Sequence, residues 1–469
     1  MIIKHNKLYL ALVNSVLLLL LIFFTLGEWD DPSMNDWCVI VSWMAVGLLT
    51  YQLIILIALK YTFKDFCVWF VILEFIFYFG RVFVKAVGED YEMAWRLFER
   101  FSENSSYRAA LFVLCTNMAI FMGMMITDND KTVAQKEKET KKYSENCLWV
   151  MGIGILCLTF PIKVYCNIQN IIAQTLAGTY TSAGDYNGVL AALSWAPVYG
   201  LLLILSSKKM TQSRFKIIYT IYVIYDLVYM TFSGDRRQEA IGIVVMMIAY
   251  FEVYKIKVSY GSWIRLAIAG ILGLYVLATI RSGRMDVFTS TELFFQSLKQ
   301  MVENNIVIET LGEFGVTFFS VASVIEYIPD YFDFFYGKTV ISTFIILFPG
   351  ICTWLFPDWT ITLEDQCLSI HNQALGGSIF QDLYGNFGLY GILVAVLVGV
   401  LIGKIFSKSN KMTSIGLAKY YLLFYVLINL IRAGLPEIGR SLVYALIIGE
   451  AIGWVYRNTR LKRVYHVKL

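Results

Sequence analysis

LYLALVNSVLLLLLIFFTL, residues Leu8 to Leu26, is an unbroken apolar run. It matches the roughly 20 residues a helix needs to cross the hydrocarbon core of a bilayer. The run is longer than a secretory-signal core and continues into Gly27-Glu28-Trp29-Asp30-Asp31 rather than a small-residue cleavage site. It is therefore expected to stay in the protein as a first span. Similar runs follow at Trp37–Leu59, Phe66–Ala86, Tyr107–Thr127, Cys147–Cys166, Gly188–Ser206, Ile217–Phe232 and Glu239–Tyr254. Trp263–Ile280, Gly388–Phe406, Ile415–Ile431 and Ser441–Tyr456 complete the series. Hydrophobic residues make up 58% of the chain and charged residues 16%, against roughly a quarter charged in ordinary soluble domains. Mean hydropathy is +0.63. These values predict an all-α polytopic membrane protein of about 12 transmembrane helices.

Charge orients the spans. Lysine-rich connections (Lys4/Lys7, Lys60/Lys64, Lys131 to Lys142, Lys208 to Lys216, Lys255/Lys257, Lys404 to Lys411) and the basic tail Arg457 to Arg463 alternate with acidic or mixed ones. Cytoplasmic loops carry the excess of lysine and arginine, so both termini are expected in the cytoplasm. The chain then divides into residues 1–280 with nine helices, a large outward loop at 281–387, and residues 388–469 with three helices and the basic tail. The loop holds two apolar runs, Leu311–Ile328 and Thr339–Phe356, each interrupted by charge or by glycine and proline. They are expected to be amphipathic helices in the interface or re-entrant segments; if both span, the count becomes fourteen. Its composition is too aromatic and β-branched for a disordered connector.

Cations sort by side. Inward loops are mainly lysine, whereas outward connections use Arg81, Arg96, Arg100, Arg236, Arg237, Arg281, Arg284, Arg432 and Arg440, with fewer lysines (Lys85, Lys163, Lys299, Lys338). A guanidinium offers a planar fork that grips phosphate bidentately and stays charged when partly desolvated. Arginines begin or end three short outward turns: Ser233-Gly234-Asp235-Arg236-Arg237, Ile280-Arg281-Ser282-Gly283-Arg284, and Arg432 through Arg440. Such turns hold their charges at a fixed depth, where several could converge on one anionic group. The bland alternative is pairing with carboxylates or snorkelling to lipid phosphate.

Other signals are weaker. His371 stands alone among histidines in the outward loop and is a candidate base or phosphate contact. Asn104-Ser105-Ser106 fits the permissive glycosylation sequon. Cys352 and Cys367 both fall in the loop and could pair in an oxidising compartment. No phosphate-binding P-loop, dinucleotide fingerprint, zinc-protease motif or metal-type carboxylate cluster is present in the sequence.

Four segments carry a family likeness: Ser233-Gly234-Asp235-Arg236 opening a span, Leu277-Ala278-Thr279-Ile280-Arg281 closing one, His371 through Gly391 leading into one, and Arg432 through Arg440 between the last two. In these the chain resembles the bacterial O-antigen or oligosaccharide repeat-unit polymerases of the Wzy type. The resemblance implies a GT-C-like glycosyltransferase of the inner membrane that works on the periplasmic side. It would move a growing glycan from undecaprenyl diphosphate to the next lipid-linked oligosaccharide repeat unit, using neither metal nor nucleotide sugar. By analogy Arg236, Arg281, Arg284, Arg432 and Arg440 surround the diphosphate, and His371, Glu313 and Glu437 are the candidate bases. Expected partners are undecaprenyl-diphosphate-linked oligosaccharides, membrane lipids and a chain-length regulator, with no nucleic acid. The rival readings are a lipid-linked oligosaccharide flippase, an O-antigen ligase, which differs in its acceptor, and an assembly subunit. A transporter should place charges near the midplane on broken helices, whereas here they gather in outward turns.

Overall fold

A computed structural model describes residues 2–29, 36–89, 96–127, 141–177, 187–233, 237–259, 261–266, 268–270, 306–345, 362–371, 375–411 and 413–466, with isolated positions 273, 299, 354, 355 and 359. All regular structure among them is helical. In chain order the helices begin α1 Ile2–Trp29, α2 Trp37–Ala58 and α3 Phe66–Glu74. A π-helical segment, Phe75–Phe79, joins α3 to α4, Gly80–Ala86. Next come α5 Glu103–Ile126, α6 Lys141–Ala177, α7 Gly188–Ser194, α8 Ala196–Ser206, α9 Gln212–Ser233 and α10 Arg237–Val253. The second half holds α11 Ile306–Phe314, α12 Phe318–Tyr327, α13 Lys338–Ile345, α14 Leu363–His371 and α15 Ile379–Phe387. The last are α16 Gly391–Ile405, α17 Ser414–Leu427 and α18 Leu435–His466.

Among the described residues, 10 helical stretches are long and apolar enough to cross a membrane. Phe66–Ala86 and Gly188–Ser206 coincide with the sequence-predicted bounds, and five others lie within five residues of theirs, whereas Glu145–Gln174 runs eight residues past its predicted end and Ile379–Ile405 starts nine residues before its predicted start. The tenth, Val307–Tyr327, falls in the predicted outward loop, where the sequence predicts an interfacial or re-entrant helix. Of the other predicted spans, Glu239–Tyr254 forms the 17-residue α10 and Ser441–Tyr456 lies inside α18. Most of Trp263–Ile280 lies outside the described residues.

The chain forms two compact units. The first comprises residues 1–131, 307–409 and 427–440, with α5 as its buried axis. Ser102 caps α5, its hydroxyl accepting the Ser105 N–H at 3.1 Å. α5 meets α16 backbone to backbone: a Cβ on Gly123 would lie 2.2 Å from the Val396 carbonyl oxygen, and one on Gly399 2.1 Å from that of Ile120. Lipid gives helices no hydrophobic reason to associate, so close approach at small residues does that work. Gly399→Val is expected to destabilise the protein by about 3 kcal/mol, because the obstructing atoms are main chain and cannot move aside. The check is a fall in the melting temperature of the purified protein in detergent. A polar thread also crosses this unit, Gln52 donating to Asn117 and Asn117 to Glu74 at 2.9 Å.

The second unit comprises residues 132–306, 410–426 and 441–469. Here α6 crosses α8 at Gly152 and Gly200, where a Cβ on either would lie 2.9 Å from the other's carbonyl oxygen. Against α9, α6 sets three polar side chains on three tyrosines. Lys163 donates to Tyr222 at 2.9 Å, Asn167 to Tyr225 at 3.0 Å and Asn170 to Tyr229 at 3.0 Å. Both number series rise together, so α6 and α9 run parallel, as two spans separated by one antiparallel span must.

Candidate functional site

The described part of the predicted arginine set lies in the first unit, at the turn leading into α18. A 3₁₀ segment, Ile428–Ile431, ends the preceding span, and Arg432, Ala433 and Gly434 then lead to Leu435. Side chains hold both ends of this three-residue turn. The Tyr78 hydroxyl, from the π-helical segment, donates to the Ile431 carbonyl at 2.5 Å. The Leu435 N–H, at the start of α18, donates to Asp382 Oδ2 at 2.6 Å. From a third side the chain at Gly377 presses on the turn so closely that a Cβ there would sit 2.6 Å from the Gly434 nitrogen. Gly376, with φ +78, makes the bend that allows this approach.

Asp382 is itself fixed. It lies in the first turn of α15, which Ser378 caps by accepting the Gln381 N–H at 3.0 Å. One turn later Asn386 donates to the Asp382 carbonyl and to Thr339 Oγ1, both at 2.6 Å, and accepts the Gly337 N–H at 2.8 Å. Asp382 is 5% exposed.

Arg432 is half-buried, its guanidinium carbon 5.7 Å from the centre of the Phe77 ring. That distance is within cation–π range. Phe77 also packs against Phe314, with ring centres 5.3 Å apart. The arginine turn and the helix carrying Glu313 thus meet the same π-helical segment. Such bulges recur at functional sites because they re-aim side chains within a helix. One turn beyond it Arg81, 2% exposed, donates to the Gly312 carbonyl at 3.5 Å. Arg440 is half-buried on α18, and the adjacent Gly439 packs on α13, where a Cβ would lie 2.8 Å from the Thr343 carbonyl oxygen. Glu313 and Glu437 are exposed, and Glu437 occupies the first turn of α18, where a carboxylate suits the helix dipole.

His371 is the last residue of α14, and its side chain lies outside the described residues. Arg236, Arg281 and Arg284 also lie outside them, as does Cys352. Cys367 carries a free, buried thiol. Burial pushes that thiol up to about 11, leaving it protonated and a poor nucleophile at neutral pH.

Sequence reasoning missed a second charged cluster. Lys163, read as belonging to an outward connection, sits within the candidate span Glu145–Gln174 because α6 continues to Ala177. Its ammonium touches Asp226 Oδ1 at 2.9 Å, Glu239 Oε1 at 3.5 Å and the Tyr222 hydroxyl at 2.9 Å. Asp226 is the sole carboxylate of α9 and is fully buried. A single charge inside an apolar run was the available signal, since such charges are costly unless paired and mark sites by default.

Neither the curated proteins nor the solved structures contain a match to this chain. A family model described as O-antigen polysaccharide polymerase Wzy matches residues 10–463, nearly the whole chain. The chain belongs to the O-antigen polysaccharide polymerase Wzy family, whose members are membrane enzymes of the glycosyltransferase type that act on lipid-linked oligosaccharide repeat units.

Proposed function

We propose that this O-antigen polymerase transfers a growing glycan from undecaprenyl diphosphate to the next lipid-linked repeat unit, at the periplasmic face of the inner membrane with both termini cytoplasmic. An acceptor hydroxyl attacks the anomeric carbon of the donor. The new glycosidic C–O bond forms as the bond to the diphosphate breaks, and the diphosphate leaves with the electron pair. A base takes the hydroxyl proton; Glu313, Glu437 and His371 are the candidates. Negative charge grows on the phosphate oxygens, and preorganised cations placed there supply the largest catalytic contribution in reactions of this kind. Arg432 and Arg440 take that role, joined by Arg236, Arg281 and Arg284.

The observation that carries this reading is the fixed seat of Arg432, whose turn is pinned at Ile431 and at Leu435. A cation held only to anchor the chain at a headgroup surface needs no such seat. The test is deletion of the gene, followed by electrophoresis of the surface polysaccharide. The ladder is expected to collapse to a single repeat unit on its lipid anchor. Loss of that single unit as well would assign the step to a ligase or flippase, and an unchanged ladder would remove the proposal.

A further inference from the structure

We propose that Asp382 and Tyr78 are positioning residues for Arg432, acting through the main chain on either side of it. This inference rests on the reading that Arg432 meets the diphosphate. Both residues pin backbone. Tyr78 holds the carbonyl of Ile431, immediately before Arg432; Asp382 holds the N–H of Leu435, three residues after it.

The alternative role for Asp382, a base that meets the acceptor, is disfavoured by what surrounds it. The side chain is 5% exposed and Oδ2 is engaged by the Leu435 amide. Gly434 covers the same oxygen so closely that a Cβ there would lie 3.1 Å from it. Nor is the arrangement ordinary helix capping. The residue whose side chain meets the first turn of α18 is 53 positions away, on α15. The chain at Gly377 also presses on the turn, where a Cβ would lie 2.6 Å from the Gly434 nitrogen. The Tyr78 ring is fixed too, packing edge-on against Phe380 of α15 with centres 4.4 Å apart. Tyr78 and Asp382 therefore share one support. A group displaced by about 1 Å from its working position can cost roughly 10²-fold in rate, which is the scale this support should control.

The experiment uses purified full-length protein in nanodiscs and lipid-linked repeat unit extracted from cells lacking the polymerase. Asp382→Asn retains a carbonyl that can accept the Leu435 N–H and should stay within about threefold of the parent kcat/KM. Asp382→Leu removes the acceptor and should lose roughly 30- to 100-fold. Tyr78→Phe should lose about tenfold, and Gly377→Ala, which displaces the turn and leaves Asp382 chemically intact, should resemble Asp382→Leu. In an Arg432→Lys background each of these losses should shrink to under about threefold, because coupled residues do not add. A purely structural weakening would cost the same in both backgrounds. Equal inactivity of Asp382→Asn and Asp382→Leu, full activity of Asp382→Leu, or simple additivity with Arg432→Lys would overturn the inference. If Asp382→Leu does not elute as a single species, Tyr78→Phe and Gly377→Ala decide the matter on the same additivity criterion. An Arg432→Ala enzyme of full activity would instead remove the diphosphate reading itself, whatever the Asp382 variants do.

Discussion

Arg432→Ala is expected to abolish chain extension, with kcat/KM for lipid-linked repeat unit falling by about 10²–10³-fold, or roughly 2.7–4 kcal/mol of transition-state stabilisation. That is the scale of removing one preorganised charge-stabilising donor. Side-chain loss should leave the fold intact, since Tyr78 and Asp382 anchor the turn through its main chain. Expression, membrane insertion and melting temperature should therefore match the parent. Arg432→Lys keeps the charge and loses the fork, so a shortened ladder is expected in cells. Wild-type chain length in Arg432→Ala cells would end the assignment of this residue to the diphosphate.

The second large effect belongs to Lys163. Replacing it by methionine leaves Asp226 and Glu239 facing each other inside the bundle without the ammonium that now lies between them. Removing one partner of a buried ionic group costs about 3–5 kcal/mol, mostly from the stranded charge. Lys163→Met is expected to lower the melting temperature sharply and to reduce accumulation in the membrane. Neutralising the partners as well, in Lys163→Met/Asp226→Asn/Glu239→Gln, should recover most of the loss, because a fully uncharged cluster has no stranded member. A monodisperse Lys163→Met protein with an unchanged melting temperature would show that the cluster does not hold α6, α9 and α10 together. If the triple variant regains stability without activity, the ionic group also serves the reaction.

Much of the scaffold was legible because hydropathy reports directly on which segments avoid water. Phe66–Ala86 and Gly188–Ser206 were readable to the residue, being bounded by charged or polar connections. α6 was underestimated. Its predicted end at Cys166 marks where hydropathy falls, yet the helix runs on through Asn167 and Asn170, which turn their amides to tyrosines of α9 instead of to water. For the run Leu311–Ile328, interrupted by Glu313 and Glu326, the sequence predicts an interfacial or re-entrant helix. Those charges do not prevent a single helical stretch, since Glu326 accepts the Ser102 N–H at 2.8 Å.

The site was legible in part. The arginine turn is legible because short turns that carry guanidinium are unusual in a chain whose other connections rely mainly on lysine. Its seat is not. Asp382 gains its meaning from an amide 53 residues away, and Tyr78 lies in the aromatic stripe Phe75-Ile76-Phe77-Tyr78-Phe79, which reads as a lipid-facing or interface belt. Neither pairing leaves a local pattern in the sequence.

The ladder between α6 and α9 bears on how the protein is made. Lys163 enters the membrane on α6 well before ribosomes deliver α9, and a lysine at the middle of a nascent span costs about 2.5–3.5 kcal/mol during insertion. The leucine- and isoleucine-rich first half of that span, ahead of Lys163, offsets this cost. Until Tyr222 and Asp226 arrive, the ammonium has neither of its α9 contacts. Biogenesis of this half of the enzyme therefore has a vulnerable interval, in which an insertase or chaperone that shelters a half-built bundle would raise the yield of finished protein.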